Sequence, residues 1–142
     1  MLFRSISPPA AADLDRLPND FPSSTPVNDL AALMVGIDAR WDHLKLAKAV
    51  GWTMPKAHPD IDPPHEALQL IEHFQEATRI ESVKRRGPAF VSMIADAESA
   101  ATALEAGLRA HDDERVIAAF ARSAALCVKC HDHYRDKPVG KE

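Results

Sequence analysis

The chain has 142 residues, 46% of them apolar and 27% charged, with a formal net charge of −4. That length suits one domain with a single core, and the composition is that of an ordinary globular protein. The absence of a basic block argues against nucleic acid as a partner, and no apolar run approaches the roughly 20 residues of a membrane helix. The opening stretch, MLFRSISPPAAADLDRLP with Arg4, lacks the apolar segment of about 7–15 residues that a secretory leader requires, so no export signal is expected in it.

Proline punctuates the chain. The eleven prolines leave three long proline-free stretches, 27–54, 65–87 and 89–137. Proline is costly inside a helix and tolerated in its first turn, and an Ala-rich chain with few β-branched clusters reads as helical throughout these stretches. Residues 1–27 read as an irregular, Pro/Ser-rich arm. A first helix is predicted at about 28–50, where Leu30, Met34, Ile37, Trp41 and Leu44 step 4-3-4-3 along one face. TMPKAHPDIDPP (53–64) reads as a loop. The second helix, about 64–85, has a less regular stripe of Ala67, Ile71, Phe74 and Thr78, with Leu68 and Leu70 beside it.

After KRRGP, the third helix spans about 88–110 on a stripe of Phe90, Ile94, Ala97, Ala101, Leu104 and Leu108. The third stretch is too long for one ordinary helix. AHDDER (110–115) offers a cap at Asp112 or Asp113, so the fourth helix is set at about 112–136, with Ile117, Phe120, Ala124, Cys127, His131 and Tyr134 on its inward face. Residues 138–142 form a tail. The expectation is an all-α fold, an antiparallel four-helix bundle over 28–137.

Both cysteines of the chain lie in one turn, CVKCH, from Cys127 to His131. Three readings compete. C-x-x-C-H is the signature of covalent haem attachment: two thiols a turn apart each add to one vinyl group, and the adjacent histidine offers a ring nitrogen to iron. A structural zinc site is the second, but tetrahedral zinc wants two more ligands, and His111 and His133 have no typical spacing for that role. A thioredoxin-like dithiol is the third; it expects a strand–helix context, and no strand is predicted. Cofactor sites in helical bundles are built on inward faces, where this motif falls.

CVKCHDHYRDK near the C-terminus of a four-helix chain resembles the class II cytochromes c, the cytochrome c′ family with its low-spin relatives. The shared pattern is C-x-x-C-H followed by two polar residues, an aromatic and a cation, here Asp132, His133, Tyr134 and Arg135. The similarity spans about 28–137 in helix order and length and is specific only at the motif. The resemblance implies one haem c bound by thioethers at Cys127 and Cys130, iron held by His131 as proximal ligand, and Arg135 near the proximal side. It also implies the periplasm, redox partner proteins and a homodimer. The chain departs from the family in its longer N-terminal arm and its shorter connection between the second and third helices.

In this family the residue facing iron from the other side comes from the first helix. LAALMVGID places Met34 there. If the Met34 thioether binds iron, Met/His ligation suits electron transfer. If Met34 only packs, as core methionines do, an open site takes NO or CO. Met54, in a loop, and Met93, off its stripe, are weaker ligand candidates. His43, His73 and His111 read as solvated helix positions, His58 and His65 as surface residues of the proline-rich loop, and Trp41 as core. Arg85 and Arg86 read as a solvated turn able to meet a propionate or a partner. With no nucleophile–base pair or paired-carboxylate motif identifiable, the sequence reads as a carrier or binder rather than an enzyme.

Overall fold

The first helix, α1, runs Leu30–Ala49 and opens at Asp29, whose extended backbone lets its carboxylate accept the Ala32 N–H at 2.8 Å. It closes on Gly51 and Trp52, both left-handed at φ 74 and 65, with the Trp52 N–H donating back to the Ala47 carbonyl at 2.8 Å. The structure is a computed structural model that describes residues 29–135. The arm expected over 1–27 and the tail over 138–142 lie outside the described residues.

α2 (Pro63–Arg79) starts on two prolines, placed where the missing N–H costs nothing. The helix predicted to reach 85 breaks at Ile80, which is extended (φ −74, ψ 125), and a single turn, α3 (Glu81–Lys84), follows. The break has a packing cause. It sends Ile80 into the core and lets Val83 be completely buried on the next turn. α4 (Pro88–Ala110) begins after Gly87 at φ 94. It ends at His111 in the left-handed conformation, and Asp112 then caps α5 (Asp113–Cys130) by accepting the Arg115 N–H at 3.1 Å. Beyond Cys130 the chain continues as a π-helical turn, His131–Arg135, rather than as the α-helix predicted to 136.

The fold is all-α, with no strand among the described residues. α1 packs on α2, α2 on α4, and α4 on α5. Their common core holds Leu33, Leu44, Leu70, Phe74, Ile94 and Leu104, with Val116 and Phe120 from α5. The stripe predicted for the last helix is shifted. Ile117 is 58% exposed, and the buried face runs Val116, Ala119, Phe120 and Ser123. Thr78 likewise yields its place on α2 to Ala77. α1 and α5 meet through aromatics: Trp41 stacks on Phe120 with centroids 4.2 Å apart, and Trp52 meets the same ring edge-on at 5.2 Å. No helix among the described residues is long and apolar enough to cross a membrane.

Candidate functional site

Below the Trp41–Phe120 stack the four long helices enclose a cavity of about 230 Å³. α1 contributes Met34, Asp38 and Trp41, and α2 contributes Leu70 and Phe74. From α4 come Met93 and Ile94, and from α5 come Ser123, Cys127 and Cys130, with His131 and Arg135 following on the π-helical turn. Met34, Cys127, Cys130, His131 and Arg135, drawn from opposite ends of the sequence, thus line one space. Met93 lines it too, although it sits off the main stripe of its helix. Met54 is half-exposed in the loop, and His58 and His65 are exposed; none of them lines the cavity.

The C-terminal turn is pinned where the motif needs it. Tyr134 meets Phe90 of α4 edge-on at 4.7 Å, and the Arg86 guanidinium lies 5.0 Å from the same Phe90 ring. Arg86 is exposed, as its reading as part of a solvated turn expects, with its guanidinium over Phe90 beside the motif.

Cys127 and Cys130 are free, half-buried thiols. Burial pushes both above the usual thiol range. At Cys127 the neighbouring Cys130 and the Asp38 carboxylate push the same way, while Arg86 pulls Cys130 back down. The pair sits at the C-terminal, electronegative end of α5. Thiols made reactive in redox enzymes occupy the opposite setting, at helix N-termini or beside cations. At neutral pH these two are protonated.

Among the described residues, no three His, Cys, Asp or Glu side chains gather into a set able to hold a metal ion. His111 closes α4, beside the start of α5, sixteen residues and about 24 Å of helix axis from Cys127. His133 is exposed beside Tyr134.

Several residues of this region escaped the sequence reading. Ser123 is 5% exposed and lines the cavity, yet its Oγ has no hydrogen-bond partner. The signal was its position four residues before Cys127, one turn up the same face. His43 and His73, read as solvated, are half-buried at the α1–α2 seam. His43 Nδ1 lies 3.0 Å from Oε2 of the buried Glu66, which also pairs with Arg40 at 3.2 Å. His73 Nδ1 donates to the Gln69 carbonyl at 2.6 Å, and its ring fills the space where a Cβ on Gly36 would stand. No protein-family model matches the chain, and no match was found among curated proteins or solved structures.

Proposed function

We propose that the chain is a monohaem c-type cytochrome acting in electron transfer, of the class II kind, with the helices arranged as an antiparallel four-helix bundle around the haem. The observation that carries this reading is the convergence of Cys127, Cys130, His131, Met34 and Arg135 on one cavity. The donor set suits the group. A porphyrin brings four nitrogens to iron, so it needs one or two protein ligands and not the cluster of three or four that zinc requires. The protonated thiols suit addition to vinyl groups: each S–H adds across a C=C, the sulfur bonding one carbon and the hydrogen the other, with no oxidant consumed. They do not suit a dithiol exchanger, which works through a thiolate.

The walls agree. Trp41, Leu70, Phe74 and Ile94 are apolar, and Ser123 leaves an unpaired polar atom in the same space. Ligand sites usually enclose about 300 Å³ or more. The cavity's 230 Å³ therefore calls for widening. The seam between α1 and α5, bridged by the Trp41–Phe120 stack rather than by close backbone packing, is where that costs least.

The bound haem would supply one-electron iron chemistry. Cys127 and Cys130 would hold it, His131 and Met34 would offer the protein donors to its iron, and Arg135 would add a positive charge to the same cavity. Haem attached in this way points to the periplasm and to redox partner proteins.

The test is expression with haem-attachment machinery. Denaturing mass spectrometry is expected to show the chain plus one haem, and reduction to give a c-type spectrum. His131→Ala should keep the added mass but alter the spin state. A mass equal to the bare polypeptide would overturn the assignment.

A further inference from the structure

We propose that Arg85, Arg86 and Lys129 form a docking surface for the acidic face of a partner protein. The inference rests on the haem reading for its purpose, since the surface adjoins the motif, and it names the chemistry by which the redox partner is recognised.

Two segments far apart in sequence meet here. Phe90 joins them: the Arg86 guanidinium lies over its ring at 5.0 Å, and Tyr134 meets the same ring at 4.7 Å. The Arg86 charge also reaches Cys130, the residue after Lys129. Residues 81–86 and 129–135 together hold five Lys or Arg and two carboxylates, in a chain whose acids outnumber its bases by four. Arg85, Arg86 and Lys129 are all exposed. Nearby cations are neutralised within the fold, Arg79 by Glu76 at 2.6 Å and Lys84 by Glu81 at 2.8 Å. Among the described residues no carboxylate pairs with Arg85, Arg86 or Lys129. Their field is left to act outward, where it steers a surface of opposite sign.

The turn that carries the two arginines is held still. Val83 is fully buried and Ile80 is 9% exposed, so both anchor it from beneath. The Arg86 N–H donates to the Val83 carbonyl at 3.1 Å and the Gly87 N–H to the Lys84 carbonyl at 3.2 Å. A backbone ordered in advance loses less entropy on binding. Val128, 60% exposed and next to Lys129, adds an apolar contact to the charged surface, the mixture found in non-obligate interfaces. The net charge of −4 opposes extended polyanions such as nucleic acid or an anionic bilayer. A protein surface that is acidic only locally fits instead.

The experiment measures binding of the full-length, haem-loaded protein to immobilised poly-L-glutamate, with duplex DNA and phosphatidylglycerol vesicles as comparisons. Binding to polyglutamate is expected to weaken as salt rises. Arg85→Glu with Lys129→Glu should weaken it by about 10-fold. Arg109→Glu with Arg115→Glu makes the same change in net charge at the far end of α4 and the start of α5, and should change it by less than about 2-fold, because that distance exceeds the screening length. Arg85→Gln with Lys129→Gln, a milder pair whose fold is checked by circular dichroism, should fall between parent and reversal. Salt-independent or absent binding to polyglutamate would overturn the proposal. So would equal losses in the two reversed pairs, or tighter binding to DNA or vesicles than to polyglutamate. Failure of the haem reading would appear separately, as a bare polypeptide mass before any binding is measured; the polyglutamate comparisons would then still decide the surface, and only its redox purpose would fall.

Discussion

Replacing Phe120 by Ala tests how the seam between α1 and α5 beside the cavity is held together. The ring is 8% exposed, stacks on Trp41 at 4.2 Å, meets Trp52 edge-on at 5.2 Å and carries Lys48 Nζ 4.9 Å above its centre. Truncating a buried Phe costs about 3–5 kcal/mol in lost burial and cavity formation. Two aromatic contacts add about 0.5–1.5 kcal/mol each beyond area, and the cation, on an exposed lysine, adds little. A loss of about 4–8 kcal/mol is expected, a large part of the roughly 5–15 kcal/mol that typical domains possess. Phe120→Leu keeps most of the volume and loses the stacking, so it should cost only about 1–2 kcal/mol. Urea titrations of the haem-free chain followed by circular dichroism measure both losses, and in thermal melts the Ala variant should unfold more than about 15 °C below the parent. Because Phe120 joins α5 to α1, the Ala variant should also recover less haem-loaded protein than the Leu variant. A loss below about 2 kcal/mol for Ala, or equal losses for Ala and Leu, would refute the view that the ring braces this seam.

Three further outcomes are expected. Met34→Leu keeps the side-chain volume while removing the soft thioether, which favours ferrous iron; it should lower the reduction potential and convert a low-spin spectrum to high-spin, and an unchanged spectrum would show that Met34 does not bind iron. In the folded, haem-free chain, the raised thiols of Cys127 and Cys130 should alkylate with iodoacetamide more slowly at pH 8 than in urea-unfolded chain, the gap narrowing as pH rises through the folded-state values; equal rates at pH 8 would contradict the burial argument. Glu66→Ala, which strips the buried carboxylate from Arg40 and His43, should cost about 1–2 kcal/mol, the two partners being a quarter to a third exposed and so partly rehydrated on its loss; a double-mutant cycle with His43→Ala should show a coupling between the two, and strictly additive losses would remove the pair as a contributor.

Much was determined by the sequence alone. Steps of three and four between apolar residues place four long helices, because side-chain direction in a helix depends only on local geometry. Prolines at 64 and 88 and an Asp cap at 112 or 113 mark helix starts to within a residue, because capping is a contact between near neighbours. The motif CVKCH needed no structure to stand out. Tertiary structure decided what depends on distant partners. The break at Ile80 exists because the core takes both Ile80 and Val83, a fact about neighbouring helices that no local propensity records. Ile117 faces solvent because α5 turns Val116 and Phe120 toward α4 and α1, and either choice of face satisfies the same spacing rule. His43 pairs with Glu66 across 23 positions of sequence. The convergence of Met34 with Cys127 and His131, and the unpaired hydroxyl of Ser123 beside them, arise only when α1 and α5 face each other across a gap, since a cavity is a property of helices packed together and not of any one of them.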